Sequence, residues 1–383
     1  MVCVRFRMFL THYVRFLYDK PCAKGEKRTF GREILPKWQF LFCFVYRKKA
    51  LLLRPVFRET MTAEEIQQPI AEDLTQVRRM LDGEVQRPGG VLRDVLAYIF
   101  STHGKQLRMQ LVLLAAAICH GVSEKTRQTA LAFEFLHTAS LVHDDVVDAS
   151  PIRHNQDAVH AHWNNKVAVL TGDYMLSRVI EIVSELRNVR IWQVVSRLGK
   201  ELAEGELRQM HVERSMWISE DDYYRIISGK TASLFAACME AGAESSVGSP
   251  KQVRSLRTFG WNLGMCFQLK DDVLDYSDSE QLDKPTMNDL RQGNVTLPLL
   301  ISLVRAPKDE ADAIRLLAEQ PLDRVGEETV RNFVMRYEGV PYAYRRMAHY
   351  REQALDALNS TFHDSPVRRS LTALLDYAIH RVR

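Results

Sequence analysis

Two short strings of carboxylates are the residues of this chain best suited to chemistry. Asp144-Asp145-Val146-Val147-Asp148 and Asp271-Asp272-Val273-Leu274-Asp275 repeat one pattern, 127 residues apart. Each closes a long apolar stretch of helical length. Positions four apart share a helix face, so Asp144 and Asp148 point one way, and Asp271 and Asp275 do the same. Like charges so placed repel and weaken the helix that carries them, an arrangement that a bound cation relieves. Hard oxygen donors of this kind suit Mg²⁺, which takes few carboxylates and completes its shell with water and substrate phosphate. One such string alone reads equally well as a solvated acidic helix end. Two strings, each embedded in apolar helix at a domain-scale separation, instead point to facing clusters that hold a metal-bound diphosphate.

The elements that must position these acids read as helix after helix. Apolar residues at 66, 70, 74, 77 and 81 keep a helical period. Helical runs follow from Leu107 to Cys119, Thr129 to Val147, Lys166 to Leu186, Trp192 to Val212, Glu220 to Ala243 and Pro250 to Tyr276. Breaks fall at Pro88-Gly89-Gly90, His120-Gly121, Ser150-Pro151, Gly248-Ser249-Pro250 and Lys284-Pro285. No stretch alternates as a strand. With 46% hydrophobic residues and only 18 Gly and 13 Pro in 383 residues, the expectation is an all-α fold with a large core.

The first sixty residues differ from the rest. They hold 14 Lys and Arg against 4 Asp and Glu, a net +10 within a chain total of +4, which leaves −6 for residues 61–383. A mildly acidic body excludes general nucleic-acid binding. The leader is aromatic as well as basic, and its apolar run from Trp38 to Tyr46 is too short to span a bilayer. It reads as a mis-assigned start, a membrane-surface arm or a targeting segment. The first is favoured, because Met61-Thr62-Ala63-Glu64-Glu65 opens an ordinary acidic helix start. The division expected is therefore a leader over 1–60 and a catalytic domain over 61–383. The six cysteines form no CxxC pair and no zinc-spaced cluster, which fits free thiols in a reducing, cytoplasmic setting.

An ordered set of motifs across residues 90 to 383 resembles the trans-isoprenyl (polyprenyl) diphosphate synthase family, in its long-chain type. Gly104-Lys105-Gln106-Leu107-Arg108 is similar to its GK-x-x-R element, and Glu134 through Asp148 resembles its first aspartate-rich motif. Gly229-Lys230-Thr231-Ala232 resembles its Lys-Thr element, and Phe267 through Asp275 its second aspartate-rich motif. The loop from Lys284-Pro285 through Asp289-Leu290 and Gly293 to Thr296-Leu297-Pro298 is also similar. The resemblance implies a helical bundle around a deep central cavity, in a homodimer that condenses isopentenyl diphosphate with an allylic diphosphate. It implies about three Mg²⁺ ions on Asp144, Asp145, Asp148, Asp271, Asp272 and Asp275. It assigns Arg153, Lys230 and Lys284 to the allylic diphosphate, with His154 in the place of a usual second Arg. Lys105, Arg108 and His137 fall to isopentenyl diphosphate, and Thr231, Gln268 and Gln209 to the reacting carbons. A basic C-terminus, His380-Arg381-Val382-Arg383, matches a tail that closes over the isopentenyl site in the family.

A growing prenyl chain would run past the residues one turn before Asp144. These are Ala139 and Ser140, both small, where short-chain members of the family carry an aromatic floor. Phe135, or Met175 on the next helix, is the expected floor instead, and the expected product is about C30 to C50. Such a product would leave through a peripheral membrane contact. Met109, His154, Asp283 and Asn294 depart from the family pattern, and His154 and Asn294 each remove a fixed positive charge near its diphosphate sites. Those losses leave room for a non-catalytic subunit that regulates another synthase. A class I terpene cyclase is a third reading, but no Asn-Ser-Glu metal motif replaces Asp271 to Asp275.

Overall fold

The computed structural model describes residues 61–101, 104, 106–153, 156–212, 216–277 and 287–381. The leader therefore lies outside the described residues, as do Lys105, His154 and Lys284.

A short α1 (Ala63–Gln67) passes through a 3₁₀ turn (Gln68–Ile70) into α2 (Ala71–Gln86), followed by α3 (Gly90–Ser101), α4 (Leu107–Cys119) and α5 (Glu124–Val147). A two-stranded hairpin, β1 (Ile152–Arg153) and β2 (Gln156–Asp157), pairs Ile152 with Asp157 and Arg153 with Gln156. Then come α6 (Val159–His162), α7 (Asn165–Glu185), α8 (Val189–Val212), α9 (Glu220–Ile227), a π turn (Ser228–Ala232), α10 (Ser233–Ser245) and α11 (Pro250–Asp275). The chain closes with α12 (Asn288–Arg291), α13 (Leu297–Arg305), α14 (Lys308–Ala318), α15 (Arg324–Arg336), α16 (Gly339–Asn359) and α17 (Pro366–His380). The fold is all-α, as expected. The hairpin is an addition the residue pattern did not announce. The single helix expected from Glu220 to Ala243 is three elements, because the backbone widens into a π turn at Ser228.

Local signals explain where the long helices start. Ser123 caps α5 by accepting the Thr126 N–H at 3.3 Å, and the Thr126 hydroxyl answers the Ser123 N–H. Ser249 and Gln252 form the same reciprocal cap on α11, with Pro250 at its first position. Both helices then run to their aspartates: Asp148 is the C-cap of α5, and Asp275 is the last residue of α11. One contiguous core joins them, with Phe133, Phe135, Phe235 and Phe259 fully buried.

Close helix crossings depend on missing side chains. At Gly242 on α10, a Cβ would fall 2.3 Å from the Val112 carbonyl oxygen and 2.8 Å from the Ala115 methyl on α4. Gly83, exposed in α2, has nothing within 4 Å of that position. Gly242→Ala should therefore lower unfolding stability by about 1–3 kcal/mol. Gly83→Ala should raise it by about 0.5–1 kcal/mol. Denaturant titration of both variants checks this, and a shift of the same sign in both would contradict the packing.

Candidate active site

The C-terminal turns of α5 and α11 bring the two aspartate strings to one place. Asp148 from the first and Asp272 from the second line a single cleft of about 200 Å³. Lys230 and Thr231 from the π turn, Gln209 from α8 and Gln268 from α11 line it as well. A helix C-terminus already carries partial negative charge, so acids placed there are doubly unfavourable until a cation arrives. Lys230 supplies part of that charge. Its Nζ lies 2.8 Å from Glu206 and 3.2 Å from the Gln209 side-chain oxygen, and its field reaches Asp144.

The six aspartates have different partners. Asp145 is 4% exposed and ion-paired with Arg153, whose Nε lies 2.9 Å from its carboxylate. In an α-helix it turns about 100° away from Asp144. The partner assigned to a diphosphate, Arg153, is thus engaged by an acid of the first string. Asp271 is held by Arg381 of the C-terminal segment at 2.7 Å. Asp275 accepts the backbone N–H groups of Asn288 at 2.9 Å and Asp289 at 3.2 Å, which anchors the start of α12. Asp272 faces the cleft and accepts from the Tyr223 hydroxyl and from the Gln268 amide at 2.9 Å. Gln268 in turn accepts from Thr231 at 2.7 Å, so these four side chains form one chain of hydrogen bonds.

Three participants escaped the sequence reading. Asp289 lines the cleft beside Asp272, and burial together with the charges of Asp275 and Asp272 holds its pKa well above the usual carboxylate range. Its only signal was its position in the loop behind the second string. Glu206 pairs with Lys230 and keeps one buried carboxylate oxygen without a partner; its spacing of three from Gln209 on α8 was the available hint. Tyr223 carried no signal, since a buried tyrosine reads as core.

A second cationic group lies at the start of α4. Arg108 is half-buried, its guanidinium 5.3 Å from the Phe235 ring, and it feels the charges of Glu134, Asp271 and Arg381. Burial pulls its pKa down and pushes that of Glu134 up. Arg381 stacks 3.9 Å over Phe267 and donates to that residue's carbonyl at 3.1 Å. The Nε groups of both arginines are buried without a partner, and so is one carboxylate oxygen of Glu134. His137 lies two helical turns before Asp144 on the same face.

Residues along α5 sort by direction. Ser140 lies within about 40° of Asp144, and Phe133 within about 20°. Phe135 lies about 180° away, fully buried and packed 5.6 Å from Phe100 of α3. Ala139 is fully buried between these directions, and Met175 on α7 is also fully buried. On the helix wheel Phe133 therefore shares the direction of Asp144, and Phe135 does not.

The comparisons with known proteins agree with this geometry. The profile of the family described as Polyprenyl synthetase matches residues 90–332. The chain belongs to that family. It is 33% identical to an all-trans-nonaprenyl-diphosphate synthase (geranyl-diphosphate specific) of Rhodobacter capsulatus, over 84% of this chain and 98% of that one. It is 32% identical to an octaprenyl diphosphate synthase of Escherichia coli, over 84% of this chain and 100% of that one. A crystal structure of a polyprenyl synthase from Caulobacter crescentus, complexed with calcium and isoprenyl diphosphate, superposes with a TM-score of 0.79 at 30% identity. It covers 85% of this chain and 100% of its own.

For a polyprenyl synthetase the donor set fits a divalent cation. Among the described residues no three His, Cys, Asp or Glu side chains enclose a ready-made metal cage, and the hard carboxylates leave the remaining coordination to a substrate phosphate. Burial pushes Asp144 up to about 6, an effect that Glu206 and Asp148 reinforce and Lys230 opposes. Asp272 is pushed up to about 7 by burial, against the hydrogen bonds of Tyr223 and Gln268. Both lie above the unfolded value of 3.8, so the metal-free fold binds protons more tightly than the unfolded chain. Its stability should fall as pH rises from about 4 through about 7. A divalent cation binds the ionised form and should raise Tm more at pH 8 than at pH 5.5. Tyr223→Phe removes a hydrogen bond that favours the ionised Asp272. It should weaken cation binding about tenfold and move the pH midpoint of binding upward. Calorimetry across pH checks both statements; a midpoint unmoved in Tyr223→Phe would refute the Tyr223 role.

Proposed function

We propose that the chain condenses isopentenyl diphosphate with an allylic diphosphate, releasing inorganic diphosphate and building a long all-trans polyprenyl diphosphate. The observation that carries this reading is the shared cleft in which Asp148 and Asp272, from strings 127 residues apart in Asp144 and Asp271, meet around Lys230.

The roles follow from chemistry. Mg²⁺ is the cation the acids suit, and when bound it would neutralise the diphosphate as the allylic C–O bond breaks. Asp144, Asp148 and Asp272 would hold it, with Asp289 beside them. Lys230 would leave Glu206 to meet the same diphosphate as preorganised positive charge. Arg108 and Arg381, with their unpartnered Nε groups, would take the diphosphate of the isopentenyl unit, assisted by His137 and Lys105. The new C–C bond forms between the allylic carbon and the isopentenyl double bond. The proton lost afterwards goes to the departing diphosphate, so no dedicated base is needed. Thr231 and Gln268 lie beside that step as a polar, fixed pair. Val212, Ile218, Ile226, Ile227 and Val295 supply the apolar part of the lining, beside Gln292, Asn294 and Thr296, and would keep water from the allylic cation.

Long product length draws on the relatives' names and on small side chains at Ala139 and Ser140. Phe133 is the floor candidate that the geometry favours. A homodimer is supported by an apolar stripe on α7, where Val169, Leu176 and Ile180 recur on one face and are 39%, 36% and 53% exposed. Among the described residues no helix is long and apolar enough to cross a membrane, and a cytoplasmic chain with peripheral membrane contact is the location we propose. The regulatory-subunit reading is disfavoured by two intact strings, and the cyclase reading by the second one.

Residues 61–383 incubated with Mg²⁺, labelled isopentenyl diphosphate and farnesyl diphosphate should yield sized polyprenyl products. Asp144→Asn should lower turnover by about 10²–10³. Activity that requires an added partner chain would favour the regulatory reading. In the same assay Ser140→Phe should shorten the product and Phe133→Ala should lengthen it. Phe135→Ala should leave length unchanged, and an altered length there would return the floor to Phe135.

A further inference from the structure

Behind the π turn, on the side away from the acidic cleft, lies a second and larger hollow of about 520 Å³. It opens between α8, α10 and α11 and is not used by the chemistry above. Arg197 and Arg208 from α8, Arg225 from α9 and Arg257 from α11 line it, with the rings of Tyr224 and Trp261. Its volume falls in the range of small-molecule sites.

The charge distribution leaves cationic capacity unused. Arg197 and Arg257 share one acid, Glu240, with Arg257 at 3.2 Å. Glu201 reaches Arg197 only at 3.9 Å, Glu204 is paired with Lys200, and Arg225 is paired with Asp221. Among the described residues no acid pairs with Arg208. Guanidinium forks recognise carboxylate and phosphate groups. The aromatic wall is fixed in place: Trp261 donates to the Ser228 hydroxyl at 3.0 Å and packs edge-on to Tyr350 at 5.7 Å. Tyr224 is held by Arg346 at 2.8 Å.

The floor of this hollow touches the reaction machinery. Gly205 and Gly229 both line it. A Cβ on Gly205 would fall 2.9 Å from the backbone N of Lys230, and one on Gly229 would fall 3.0 Å from the Gly205 Cα. The next residues, Glu206 and Lys230, form the ion pair at the acidic cleft. This glycine contact is the structural link from the hollow to Lys230, and it sits in a π turn, a rare element frequent at functional sites.

We propose that this hollow binds an aromatic anion, a planar ring system bearing a phosphate or carboxylate, and that its occupancy alters the affinity of the allylic diphosphate through the Gly205–Gly229 contact. The binding half stands alone, and the coupling half rests on the function proposed above.

The test uses the full chain with adenosine monophosphate and 2-naphthoate as probes and inorganic phosphate as the ringless control. Calorimetry in EDTA prevents divalent cations from drawing the probes into the acidic cleft. Saturable binding of one ring-bearing probe is expected, weakened about tenfold in Arg208→Glu. Arg208 is exposed, so its fold should be unaffected, and Arg257→Gln gives a second, independent variant. With Mg²⁺ restored, the bound probe should change KM for farnesyl diphosphate about fivefold, an effect absent in Arg208→Glu. The active probe tells a nucleotide source from a carboxylate one. No binding, or binding untouched by both variants, overturns the site. Equal binding of phosphate overturns the need for a ring. Binding with unchanged KM overturns the coupling, and an inactive wild-type chain counts instead against the synthase reading.

Discussion

Mutual repulsion at the ends of two helices governs this structure. α5 and α11 each finish with three aspartates at the pole where the helix dipole is already negative, and the fold points those ends at a common cleft. Nothing in helix propensity or packing favours this. Several neighbouring features read as ways of holding the arrangement together. Arg153 neutralises Asp145, Arg381 neutralises Asp271, backbone N–H groups of α12 satisfy Asp275, and Tyr223 with Gln268 satisfy Asp272. The residual charge is left for a cation, and burial, reinforced by neighbouring acids, raises the pKa values of Asp144 and Asp272.

The π turn has two faces and does two things. Toward the cleft it presents Lys230 and Thr231; toward the rear it lets Gly229 meet Gly205 at backbone contact distance. A regular helix from Glu220 to Ser245 would rotate one of those faces out of position. The C-terminus is similarly dual. Arg381 steadies an acid of the second string while leaving its own Nε turned to no partner, next to Arg108 in the same condition. Each has an acid nearby, Asp271 for Arg381 and Glu134 for Arg108, and the unpartnered Nε groups are the donors we propose for the diphosphate of the isopentenyl unit.

Much of this was legible beforehand. The two strings were identifiable because their types and spacing are unusual, and Lys230, Thr231, Gln268 and Arg108 only through the resemblance to the family. The long helices followed from apolar period and from Ser123 and Ser249 as caps. Asp289, Glu206 and Tyr223 were not, because a single acid in a loop, an acid on a helix and a buried tyrosine are commonplace until something folds against them. Phe135 shows the limit of such reading: being apolar and near the string fixes that a residue is buried, but not that it packs on Phe100 of α3.

By itself the amino-acid order determined the helical class, the spacing of the acids and the family, since these are properties of local period and residue type. Only the tertiary structure decided which aspartates face the cleft and which are neutralised by Arg153 and Arg381. It alone decided that the helix after Glu220 widens into a π turn. Those outcomes depend on contacts between residues far apart in the chain, and a linear pattern carries no information about the rotation of one packed helix against another.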